Sequence, residues 1–144
     1  GAVGIEAVSR GAADVVFVES SQRAADLIAE NLDHCGIVDG VRVISRDILR
    51  TMRLFASQEM QFEIVYFDPP YDSDLHSQVL RQLARLNLVA PGGVVIVEHR
   101  RGRVLAPSYD DLRPYREITQ GDSSLTFYSR ELKTDEHEDV IAGS

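Results

Sequence analysis

Short apolar runs alternate with stretches of helical periodicity over the first hundred residues of the sequence. Val3 to Arg10 places Val3, Ala7 and Val8 on one helical face, entered through Gly1 and Gly4 and stopped at Gly11. Asp14 to Val18 is almost wholly apolar and ends at Glu19, the pattern of a buried strand. Ser20 can cap a second helix, in which Ala24, Leu27, Ile28 and Leu32 recur every three or four residues until Gly36. Val41 to Ile44 is a second, β-branched strand, and Asp47 after it can cap a third helix carrying Ile48, Met52 and Phe55. Phe62 to Phe67 is a third strand. It runs into Asp68-Pro69-Pro70-Tyr71, where neither proline can donate a ladder hydrogen bond and pairing must stop. A fourth helix, about Leu75 to Leu88, ends before Pro91-Gly92-Gly93, and Val94 to Glu98 is another buried strand.

Strands and helices alternating at this length predict an α/β fold, with a mostly parallel sheet and helices on both faces. After Glu98 the pattern changes. Tyr115 to Ile118 and Leu125 to Tyr128 are joined by the turn residues of Thr119 to Ser123, so an antiparallel hairpin is expected to close one edge. A doubly wound sheet binds its ligand where its first strand feeds a glycine-rich turn, yet here the glycines come first. The sequence is therefore read as lacking a central strand, expected between the strands ending at Glu19 and Asp68. Without it those neighbours would stand about 10 Å apart, twice the roughly 4.8 Å of paired strands.

The 144 residues make one domain, assigned to residues 1–130, followed by an acidic tail over 131–144. The formal charge of -8 is uneven: the tail holds five acids against Lys133, so it carries -4 and the body the other -4. With few large apolar residues, the tail is predicted to be disordered. All 14 basic residues of the body are arginine, which suits phosphate and base contacts but is equally a solvated helix face. One cysteine excludes an internal disulfide, and no apolar run is long enough to span a bilayer. No basic-then-apolar leader opens the sequence, so a cytoplasmic location is expected.

Asp68-Pro69-Pro70-Tyr71 is the most informative segment, a tetrapeptide expected by chance in roughly one chain in a thousand of this length. At the carboxyl end of a strand it sits where open α/β sheets do chemistry. Asp68 and the Pro69 carbonyl can accept the two hydrogens of a planar exocyclic amine, while Tyr71 stacks on the ring that bears it. Such a notch would prepare a weak nitrogen nucleophile for in-line attack on an activated methyl. The plainer reading is a strand terminator with a surface tyrosine.

On these residues the sequence resembles the S-adenosylmethionine-dependent amino-methyltransferases with an Asp-Pro-Pro-Tyr motif, most of all the bacterial 16S ribosomal RNA guanine-N2-methyltransferases. The resemblance runs from Gly1 to about Arg130, through Gly1-Ala2-Val3-Gly4-Ile5-Glu6-Ala7, Ser9-Arg10-Gly11-Ala12, Phe17-Val18-Glu19, the Asp68 motif, Pro91-Gly92-Gly93, Gly121-Asp122-Ser123 with Leu125, and Phe127-Tyr128. It implies a Rossmann-like class I methyltransferase fold, truncated at its N-terminus. The implied cofactor is S-adenosyl-L-methionine, the implied catalytic residues are Asp68, Pro69, Pro70 and Tyr71, and no metal is implied. Gly1 and Gly4 would be the surviving end of the glycine loop, in keeping with glycines that let a ligand approach a helix start. Glu19 would hold ribose hydroxyls, though a strand-end acid is often only solvated. Asp47, with Ile48 beside it, matches the adenine-contacting position, and a plain helix cap is the competing reading. Glu6 is family-like and equally well structural.

The resemblance also implies 16S ribosomal RNA as partner, in an assembling small ribosomal subunit, and a monomer with no membrane association. His99-Arg100-Arg101-Gly102-Arg103 could meet RNA phosphates or be an ordinary solvated loop. A guanine in folded RNA must be extruded before its amine reaches such a notch. Adenine in DNA and a glutamine amide in a protein are alternative acceptors, and a truncated binding module is a non-enzymatic alternative. Nucleotide-binding and hydrolase signatures are otherwise missing, and His34, Cys35, His76, His99 and His137 lack metal-ligand spacing.

Overall fold

The computed structural model describes residues 2–68, 74–103, 105 and 108–131. Gly1, Pro69, Pro70, Tyr71 and all but the first residue of the acidic tail lie outside the described residues. The chain divides into two units, Gly1–Leu54 and Phe55–Ser144.

The first unit runs α1 (Ala2–Ser9), β1 (Val15–Glu19), α2 (Gln22–His34), β2 (Val41–Ser45) and the start of α3 (Ile48–Ser57). β1 and β2 pair in parallel, Val15 opposite Val41 through Glu19 opposite Ser45. Gly11, at φ +99°, ends the turn after α1, a conformation that costs a glycine little. The predicted cap of α2 shifts by one residue: Ser21, not Ser20, accepts the Ala24 N–H (3.3 Å). The buried stripe shifts with it, to Ala25 and Leu32, leaving Leu27 53% exposed. Two-stranded sheets offer little cover, and the other wholly buried side chains of this unit are Phe17 on β1 and Thr51 and Met52 on α3.

The second unit holds the end of α3, β3 (Phe62–Phe67), α4 (Leu75–Arg85), β4 (Val89–Arg100), β5 (Leu112–Gln120) and β6 (Ser123–Arg130). Its sheet has the order β3-β4-β6-β5, parallel across β3–β4 and antiparallel across the rest, with the predicted hairpin at one edge. β3 matches its predicted bounds. α4 is shorter than expected, because Leu88 turns its N–H back to the Leu83 carbonyl (3.1 Å) while Asn87 takes φ +56°. β4 is longer. Pro91-Gly92-Gly93 lies inside it, between the pairs Phe62–Val89 and Ile64–Val94, so three extra residues bulge where a turn was expected. Gly93 is required there, since an added Cβ would stand 2.7 Å from the Ala90 carbonyl oxygen.

One face of this sheet is the main core. Val95, Val97 and His99 of β4 and Ser124, Thr126 and Tyr128 of β6 are buried with His76, Val79, Leu80 and Leu83 of α4. Desolvation holds the Tyr128 phenol far above its ordinary titration range. Arg130 closes the base, donating to Asp111 Oδ2 (2.9 Å) and the Val89 carbonyl (2.7 Å). β1 and β3 each end their sheets, and no described strand pairs with both.

Candidate active site

Each parallel strand pair delivers two acids to its carboxyl end. In the first unit Glu19 closes β1, and its backbone carbonyl accepts the Arg46 N–H (3.0 Å), which holds it beside the residues that follow β2. Its side chain accepts the Ser21 N–H (3.2 Å), fixing one carboxylate oxygen; the other has no partner among the described residues. Asp47 comes two residues after β2. It caps α3, accepting the Arg50 N–H at 3.0 Å, with the Thr51 hydroxyl on its carbonyl at 2.8 Å. The cap is therefore real, whatever else the side chain does. Ile48 is half-buried beside it. Gly4 has a packing role, because a Cβ there would overlap the ring of Phe17. Glu6 forms an exposed ion pair with Arg10 (2.8 Å), as its structural reading requires.

In the second unit the end of β3 carries Asp68 and the end of β4 carries Glu98. The register runs through Tyr66–Ile96 and Phe67–Val97, one step short of these two acids, and a side-chain period of two puts Tyr66 and Glu98 on one face. The Tyr66 hydroxyl donates to Glu98 Oε1 at 2.7 Å. Asp68 and Glu98 are near enough that the charge of one is felt by the other. Although it remains exposed on one side, partial burial pushes its carboxyl above the ordinary range first, and the charge and hydrogen bond of Glu98 push it the same way.

Behind the strand ends, on the core face, His76 Nε2 donates to the backbone carbonyl of Glu98 (3.2 Å). His76 stands edge-on to Phe67 and to His99, with ring centroids 6.1 and 6.5 Å away. His99 donates from Nδ1 to the Arg100 carbonyl (3.0 Å), and its Nε2 meets the Thr126 hydroxyl at 2.6 Å. His99 is buried, which removes it from the proposed phosphate-facing loop. Arg100 and Arg101 stay exposed, and the Arg101 N–H is spent on the Asp122 carbonyl (2.8 Å).

Sequence reasoning placed Asp68 at a strand end and missed Glu98, which it took only as the last residue of its strand. The signal was present: an acid ends each of two neighbouring apolar strands, and parallel pairing brings those ends together. Among the described residues no His, Cys, Asp and Glu cluster could hold a metal ion, and no helix is long and apolar enough to cross a membrane.

Residues 1–129 match the family model described as "Conserved hypothetical protein 95". The chain belongs to that family. It is 27% identical over 130 residues to "Putative rRNA methyltransferase YlbH" of Bacillus subtilis, matching over 90% of this chain and 71% of that protein. It is 29% identical over 107 residues to Ribosomal RNA small subunit methyltransferase D of Haemophilus influenzae, over 73% of this chain and 54% of that one. Among solved structures, a conserved hypothetical protein of Streptococcus pyogenes superposes with a TM-score of 0.80 at 27% identity, over 88% of this chain and 78% of the other. At 17% identity, the SAM-dependent methyltransferase from Agrobacterium tumefaciens shares the fold, with a TM-score of 0.65 over 91% of this chain and 53% of that one. The architecture is the Rossmann-like α/β methyltransferase fold that the sequence predicted.

Proposed function

We propose that the protein transfers a methyl group from S-adenosyl-L-methionine to the exocyclic N2 of a guanine in 16S ribosomal RNA. The observation that carries this reading is Asp68, following a parallel edge strand at the head of Asp-Pro-Pro-Tyr, with Glu98 at the end of the neighbouring strand. The relatives support the substrate class, since the two described above bear ribosomal RNA methyltransferase names.

In this reading Gly1, Gly4, Glu19, Asp47 and Ile48 hold the cofactor. The donor set fits: Glu19 is pre-oriented by the Ser21 N–H and keeps an oxygen for a ribose hydroxyl, and Asp47 and Ile48 offer a carboxylate and an apolar surface beside an adenine. S-adenosyl-L-methionine supplies an electrophilic methyl whose bond to sulfur breaks as the bond to nitrogen forms, the electron pair staying on sulfur. The protein positions the amine. Asp68 and the Pro69 carbonyl accept its two hydrogens, drawing the lone pair out of conjugation with the ring, and Tyr71 stacks on the extruded base. Orientation of this kind accounts for much of the catalysis, and no metal is required.

Labelled S-adenosyl-L-methionine should be offered with the protein to naked 16S RNA, assembling small subunits, DNA and peptides. Label is expected in RNA, on guanine N2 when the nucleosides are separated by mass. Label confined to DNA or peptide would end the RNA assignment, and absence of cofactor binding by calorimetry would end the enzyme reading.

A further inference from the structure

Resting on the proposed amine methylation, we infer that Glu98 is a positioning residue for Asp68, holding it as the acceptor of the proton that the methylated nitrogen releases. Three observations converge on Glu98. Its place is fixed by register, one step past the Phe67–Val97 pair and opposite Leu125 of β6, on the face of Tyr66. Its side chain is held by the Tyr66 hydroxyl at 2.7 Å. Its main chain is held from the core by His76 at 3.2 Å. A residue whose carboxylate is held on one face and whose main chain is held on the other is not a mobile surface acid.

The chemistry needs such a device. When the nitrogen bonds the methyl carbon it carries three substituents besides the ring and a positive charge, and one hydrogen must leave as a proton. Asp68 already accepts an amine hydrogen, so that proton passes along the existing hydrogen bond to the carboxylate, and afterwards to water. Two carboxyls on adjacent strands resist ionising together, so the pair takes up a proton more readily than either acid alone. Among the described residues the titratable group that acts on Asp68 is Glu98 of β4, which in turn accepts the Tyr66 hydroxyl.

The test has one readout that does not depend on turnover. With aspartate carboxyls labelled with carbon-13 and the Asp68 signal assigned through Asp68→Asn, the full chain is titrated by NMR as wild type, Glu98→Gln, Glu98→Asp and Tyr66→Phe. The Asp68 midpoint should fall in Glu98→Gln, shift partway in Tyr66→Phe and be largely restored in Glu98→Asp. In methyl transfer, Glu98→Gln should lower kcat by about 10- to 100-fold, less than the full general acid–base contribution because Asp68 itself remains, with KM for the acceptor changed less than about twofold. An unmoved Asp68 midpoint in Glu98→Gln, or in Tyr66→Phe should the glutamine variant not fold, overturns the inference. So does an unchanged kcat in an active enzyme. A coupled pair in a protein that methylates nothing overturns the proposed function instead, and the role of Glu98 with it.

Discussion

The two parallel strand pairs, β1–β2 and β3–β4, present acids at their carboxyl ends in the same way but rest on unlike foundations. Behind Glu19 and Asp47 the first unit buries few side chains, chiefly Phe17, Ala25, Leu32, Thr51 and Met52. Behind Asp68 and Glu98 stands a four-stranded sheet whose core face is filled from α4, β4 and β6, including two buried imidazoles. Under the proposed function, the groups that must be placed to a fraction of an ångström to meet a reacting amine are built on the densely packed unit. Groups assigned to holding a ligand sit on the sparer one, where binding energy can complete the ordering.

The sharpest way to break this division is kinetic. Asp68→Ala should lower kcat by about 100- to 10,000-fold while leaving cofactor affinity nearly unchanged, and Glu19→Ala should do the reverse. Equal losses in both parameters for both variants, from steady-state kinetics and calorimetry, would erase the distinction. Next comes the foundation itself. Leu80→Ala removes a fully buried side chain from the second core and should cost about 2–5 kcal/mol in denaturant unfolding. A cost below about 1 kcal/mol would mean that this core is looser than its burial indicates. Gly4→Ala should cost about 1–3 kcal/mol, because its methyl must displace the Phe17 ring, and a pure cofactor role for Gly4 would instead leave unfolding unchanged.

The smallest effect is on pH dependence. The folded state binds the Asp68 proton more tightly than the unfolded chain does, so its contribution to stability is full below the unfolded pKa and is lost as pH rises through the raised folded value. Asp68→Asn should remove that loss and be slightly more stable than wild type at neutral pH while inactive. Thermal melts at pH 3.5 and 7 check the sign, and a neutral-pH Tm lower than wild type would contradict it.

Local pattern was enough for most elements. Phe62 to Phe67 has an apolar, aromatic run with a proline stop, and its strand begins and ends where those residues require. Elements set by distant partners were less legible. Pro91-Gly92-Gly93 reads as a turn because each residue disfavours a strand, and only pairing of Val89 with Phe62 reveals that the strand continues through it. β5 starts at Leu112 rather than Tyr115, since all its residues but Leu112 are exposed and its extent follows its register with β6, not its own hydrophobicity. For the site, Asp68 was legible from its motif, whereas Glu98 needed the alignment of two strands separated by α4.

The bulge in β4 makes this chain unequally tolerant of changes in length. Residues 91–93 are slack, looping between two fixed pairs, and a deletion there can be taken up before it reaches Val94. From Val94 to Val97 no slack remains. Losing one residue there would exchange the faces of Glu98 and His99, turning an imidazole out to water and driving a carboxylate in against α4. Lineages of this protein should therefore vary in length before Val94 and never by a single residue beyond it.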